Sequence, residues 1–145
     1  MSEIMSEDAA AAPTQLRIAL VAHDSQKPSM IEWSRRHKDV LARHLLWGTG
    51  TTGGQVADRV GLDVTRLKSG PLGGDQQLGA MIAEGRIDML VFFTDPLVAL
   101  PHDVDVKALL RVSVLYDVVV ACNAATADAL IHSRLFDAGY RPRAD

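Results

Sequence analysis

Four short segments hold most of the residues able to do acid–base or anion-binding chemistry: His23-Asp24-Ser25-Gln26-Lys27, Gly48 to Gly54, Ser69 to Asp75, and Thr94-Asp95-Pro96 continuing to His102-Asp103-Val104-Asp105. The second, G-T-G-T-T-G-G, reads as an anion cradle. Its glycines let the backbone approach a ligand and turn N–H groups inward. Thr49, Thr51 and Thr52 add hydroxyl donors suited to phosphate oxygens. A helix starting after it would favour negative charge at its N-terminus. The alternative is a plain tight turn between strand and helix. Lys27 can bring positive charge to such a pocket, and Ser69 and Gly70 a further hydroxyl and backbone N–H.

Asp75 follows Gly73-Gly74 at a helix start. It reads either as an N-cap, which would hold it as a stabilised anion, or as a general base. Asp95 before Pro96 reads as a turn former or a site residue. His23 and His102 are the histidines within these segments; His37, His44 and His132 fall on helices or at a strand start and read as structural or exposed. His23 and His102 with Asp24, Asp103 and Asp105 offer metal-ligand types, but their spacing matches no ligand motif.

These clusters need elements to bring them together. Apolar runs at Leu16 to Ala22, Leu45 to Trp47, Val64 to Leu67, Met89 to Phe93 and Val118 to Ala121 predict strands buried on both faces, as in a parallel sheet. Between them, Met30, Trp33, His37 and Val40/Leu41 predict a helix over Ser29 to Arg43, and Leu78, Met81 and Ile82 another over Gln76 to Glu84, ended by Gly85. Val106, Leu109 and Leu110 mark a third helix, and Asn123 caps a last one carrying Leu130 and Ile131. The alternation predicts an α/β three-layer sandwich with right-handed crossovers. Each polar cluster then follows a strand, and the carboxyl ends of such strands form the ligand crevice. Gly48 to Gly53 also matches G-x-G-x-x-G, yet it follows the second strand. Leu67-Lys68-Ser69 stands where a ribose-binding acid is needed, and no Gly-Lys-Ser/Thr makes a Walker A loop.

With 145 residues, the chain has room for one domain. Hydrophobic residues make up 48% and charged residues 23%, an ordinary globular balance. A net charge of -3 argues against a nucleic-acid partner. Cys122 is the single cysteine, so no intramolecular disulfide can form, which fits a reducing compartment. No apolar run reaches membrane-spanning length, and the acidic N-terminus lacks the basic start of a secretory signal. The expected organisation is a disordered leader over 1–15, one domain over 16–136 and a frayed tail over 137–145, in the cytoplasm.

A-H-D-x-x-K (Ala22 to Lys27), G-T-G-T-T-G (Gly48 to Gly53), S-G-P-L-G-G-D-Q-Q (Ser69 to Gln77), D-P-L-x-A-L-P-H-D-x-D-V-K-A-L-L-R (Asp95 to Arg111) and N-A-A-T-A-D (Asn123 to Asp128) together resemble the methylglyoxal synthase family. The resemblance runs from about Ile18 to Ser133; Cys122 stands where a threonine would be expected. It implies a five-stranded parallel sheet flanked by helices (Rossmann-like), a homohexamer, and conversion of dihydroxyacetone phosphate to methylglyoxal and inorganic phosphate by a carbon–oxygen lyase without metal or organic cofactor. By the same resemblance Asp75 is the catalytic base, joined by His102 and Asp105. Substrate is bound by His23, Lys27, Thr49, Gly50, Thr51, Thr52, Ser69, Gly70 and His102, with Asp24, Asp95 and Asp103 in support. Inorganic phosphate would be both product and regulator. The rival expectation is a non-catalytic effector-binding module, which needs the cradle but neither a base nor an electrophile. A nucleotide-binding oxidoreductase fails on length and on the missing ribose carboxylate.

Overall fold

A computed structural model describes residues 15–97 and 103–137. Five parallel strands form one sheet: β1 (Arg17–Ala22), β2 (Leu45–Thr49), β3 (Val64–Leu67), β4 (Met89–Phe93) and β5 (Val119–Ala121), in the order β3-β2-β1-β4-β5. The central strands are apolar throughout because both faces are covered. All five residues of β4 are buried, and their side chains alternate between two cores.

On one face Ile18, Leu20, Met89, Val91 and Phe93 meet helices α1 (Lys27–Arg36), α2 (Lys38–Leu41), α3 (Gly50–Val60) and α6 (Ala124–Ile131) through Met30, Trp33, Leu41, Val56 and Ile131. On the other, Ala19, Val21, Leu90 and Phe92 meet α4 (Gly74–Ala83) and α5 (Asp103–Leu115) through Leu78, Ile82, Val106 and Leu109. The expected three-layer α/β sandwich is therefore the observed fold.

Local signals place most ends. Asn123 caps α6, its side chain accepting the Thr126 N–H at 2.9 Å. Gly85, at φ 74°, closes α4: its N–H reaches the Ile82 carbonyl (3.0 Å) and the Arg86 N–H the Met81 carbonyl (2.9 Å), the paired bonds of a Schellman motif. Three expectations shift. The helix expected over Ser29 to Arg43 starts earlier, at Lys27 with Pro28 in its first turn, and divides at His37, whose backbone leaves helical geometry (φ −111°, ψ 22°). The His37 ring there bonds Asp128 on α6 at 2.8 Å, a tertiary contact that helix periodicity does not register. Strand β2 runs on to Thr49, and the glycine segment from Gly50 is the first turns of α3 itself rather than a separate turn before it. The expected leader and tail fall, apart from Gln15 and Asp137, outside the described residues.

Candidate active site

The strand order reverses between β1 and β4, and the loops leaving these two strands diverge there. A cavity of about 510 Å³ opens at this point, at the carboxyl ends of the strands. From the β1 loop come His23, Asp24 and Ser25, and from the start of α1, Lys27; from the end of β2, Thr49, and from the start of α3, Thr51 and Thr52; from the turn after β3, Ser69, Gly70 and Pro71; from α4, Asp75; and from β4 and its loop, Phe92 and Asp95. The first three expected clusters, with Asp95 from the fourth, therefore share one site.

Backbone geometry brings the glycine segment and the Ser69 turn within reach of each other. The Lys68 peptide is the tie: its carbonyl accepts the Gly50 N–H (3.2 Å), and its N–H donates to Gln77 Oε1 on α4 (2.7 Å). Gly50 sits so close to the Ser69 turn that a Cβ there would lie 2.7 Å from the Ser69 nitrogen. The N-termini of α3 and α4 are thereby held against the same turn. Each offers first-turn N–H groups that lack intrahelical acceptors, and the positive end of a helix dipole. The first N–H of each helix is taken by that turn, Gly50 by the Lys68 carbonyl and Gly74 by the Ser69 carbonyl (2.9 Å), and the convergence of two helix N-termini is a geometry able to hold an anion.

Asp75 does not cap its helix. Gly73 occupies the N-cap position, and Asp75 lies in the first turn of α4, 4% exposed, lining the cavity. The capping alternative is therefore set aside. Lys27 is the cation among the described lining residues, and its ammonium is engaged, 2.6 Å from Asp24 Oδ1 and 3.3 Å from the Ala22 carbonyl. The Lys27 hydrogen bond, then its charge, hold the Asp24 carboxyl below its ordinary value. The Thr52 hydroxyl donates to the Ala22 carbonyl and accepts the Ala22 N–H, both at 3.3 Å. It fixes the end of β1, a role that spacing alone did not suggest.

His23 is set by backbone on both sides. Its N–H donates to the Phe93 carbonyl (3.1 Å), and its Nδ1 accepts the Asp95 N–H (2.8 Å). With Nδ1 an acceptor, the neutral ring carries its proton on Nε2. The Asp95 carboxylate takes the Ser25 hydroxyl (2.6 Å) and the Leu97 N–H (3.0 Å), and these two bonds, in that order, lower its pKa.

Asp105 is half-buried in the first turn of α5 and is not among the described residues lining the cavity. Asp103 opens that helix, and His102 lies outside the described residues. Ser25 and Gln77, which sequence reading left without roles, both make bonds here: Ser25 lines the cavity, and Gln77 holds the backbone just before the Ser69 turn. The adjacency of Ser25 to His23-Asp24 and of Gln77 to Asp75 was the available signal.

Residues 29–122 match the family model of the MGS-like domain. The chain is 58% identical over 130 residues to a methylglyoxal synthase from Pseudoalteromonas atlantica, spanning 90% of this chain and 96% of that protein. It is 64% identical over 115 residues to one from Rhizobium rhizogenes, spanning 79% and 91%. The crystal structure of methylglyoxal synthase from Elizabethkingia anophelis superposes with a TM-score of 0.85 at 45% identity, covering 92% of this chain and 88% of that one.

Proposed function

The chain belongs to the methylglyoxal synthase family, and from that premise we propose that it is a lyase converting dihydroxyacetone phosphate to methylglyoxal and inorganic phosphate. The observation that carries the reading is the shared cavity: a buried carboxylate, Asp75, faces the same space as two helix N-termini and the hydroxyls of Thr49, Thr51 and Ser69. A phosphate seated on the helix N-termini leaves the triose carbons to Asp75.

In this proposal Asp75 takes a proton from the hydroxymethyl carbon beside the ketone. The electron pair moves onto the carbonyl oxygen as an enediolate, and the His23 Nε2–H donates toward the substrate's oxygens. The enediolate's terminal hydroxyl then gives up its proton, and its electrons form the aldehyde and expel phosphate with the pair of the broken carbon–oxygen bond. The remaining enolate takes up one proton at its methylene carbon to become methylglyoxal. No water is consumed. Positioned proton abstraction supplies about 10²–10⁴ in rate, and each donor aimed at the developing oxyanion roughly 3–4 kcal/mol. In the same reading His102 donates to the oxyanion, Asp105 joins Asp75 and His102 in catalysis and Asp103 supports them; those roles, like a cofactor-free reaction, a homohexamer and a cytoplasmic setting, belong to the proposal.

The test is to add dihydroxyacetone phosphate to pure protein and follow methylglyoxal and phosphate together. Equal amounts of both are expected. Tight phosphate binding without turnover would instead identify an effector-binding module.

A further inference from the structure

We infer that Ser25 is a positioning residue that sets the tautomer of His23 by holding Asp95, an inference that rests on the cavity being the active site proposed above. The geometry is a relay across the switch point. Ser25 lies in the 3₁₀ turn Asp24–Gln26 that leaves β1, and its hydroxyl donates to Asp95 Oδ2 at 2.6 Å, on the loop leaving β4. Asp95 Oδ1 takes the Leu97 N–H at 3.0 Å; Pro96 between them has no N–H to offer. With both carboxylate oxygens held, the Asp95 peptide is fixed with its N–H directed at His23 Nδ1, 2.8 Å away.

Further contacts of His23 tie it to the turn that holds Ser25. The Gln26 N–H donates to the His23 carbonyl (2.8 Å), so the 3₁₀ turn and His23 move as a unit. The ring packs edge-on against Phe92, centroids 5.2 Å apart at 77°. The His23 N–H to Phe93 carbonyl bond holds the roots of the loops after β1 and β4 together, and farther out Ser25 joins the two loops through the Asp95 carboxylate. If they part, the Asp95 N–H leaves Nδ1, and the neutral ring can carry its proton there. Nε2 then presents a lone pair where the reaction needs a donor.

The test compares wild type, Ser25→Ala and Ser25→Thr by nitrogen-15 NMR of the histidine ring and by steady-state turnover of dihydroxyacetone phosphate. Wild type is expected to hold His23 as the Nε2–H tautomer. In Ser25→Ala the Nδ1–H form becomes populated, and kcat falls about threefold to tenfold, the scale of one lost hydrogen bond, while KM changes little. Ser25→Thr, which keeps the hydroxyl, restores both. A folded Ser25→Ala protein with the wild-type tautomer would overturn the inference. If wild type itself turns over no substrate, the proposed reaction fails, and the tautomer comparison still decides the role of Ser25.

Discussion

Asp75 separates two tasks that a carboxylate near a helix start can take. An N-cap works from outside the helix on the N–H groups of the first turn. Asp75 is inside that turn, buried, with Gly73 in the capping place, and it lines the cavity. Asp75→Asn keeps the shape and removes the base. Turnover should fall by at least about 10² while inorganic phosphate still binds, measured by steady-state kinetics and calorimetry. Near wild-type turnover would leave Asp75 with a structural role only. The hydroxyls divide by the same reasoning. Thr51 is exposed and lines the cavity, so Thr51→Ala, like Lys27→Ala, should weaken phosphate binding by about threefold to tenfold. Unchanged phosphate affinity in both would remove them from the cradle. Thr52 is already bonded to Ala22 at both its N–H and its carbonyl, and its truncation acts first on the end of β1.

At the scale of elements, legibility followed the reach of each signal. Asn123 and Gly85 end their helices by bonds within a few residues, and sequence shows such ends directly. The strands were legible because burial on both faces requires unbroken apolar runs. The division at His37 was not, and the contact made there lies on another helix. Asp128 on α6 accepts from His37 Nε2 at 2.8 Å and lies 3.6 Å from Arg36. Burial works most strongly of all against ionising Asp128, but the His37 hydrogen bond, the Arg36 and His37 charges and a Trp33 hydrogen bond together outweigh it, and its carboxyl sits below its ordinary value. A depressed carboxylate stabilises the fold above its unfolded pKa and loses that contribution as pH falls through the folded one. Asp128→Ala should therefore cost about 1 kcal/mol at neutral pH, discounted for the exposure of the pair. Urea unfolding should show the gap to wild type closing below about pH 4. A gap that stays constant with pH would mean that packing, not charge, joins α6 to α1.

The molecule as a whole is polarised along its strands, with chemistry at their carboxyl ends and a clamp at their amino ends. The clamp is Arg17 at the start of β1 and Asp88 just before β4. Asp88 Oδ2 accepts the Arg17 N–H (2.8 Å) and Nε–H (3.0 Å), Oδ1 accepts from Nη2 (2.9 Å), and the Asp88 N–H returns to the Arg17 carbonyl (2.8 Å). The Asp88 hydrogen bonds outweigh desolvation and raise the Arg17 pKa further. The loops leaving the other ends of the same two strands diverge into the site, so the clamp and the cavity share β1 and β4 without sharing a side chain. Asp88→Ala strips three donors of their acceptor, one of them a strand N–H, and should cost about 1–3 kcal/mol. For a chain of this length that lowers the thermal midpoint by roughly 2–10 °C. Well below that midpoint kcat and KM should stay within twofold of wild type, because β1 and β4 remain paired along their register from Ile18 with Met89 to Ala22 with Phe93. A rise in KM beyond that range would show that fixing the amino ends of the strands also sets the width of the cleft at their carboxyl ends.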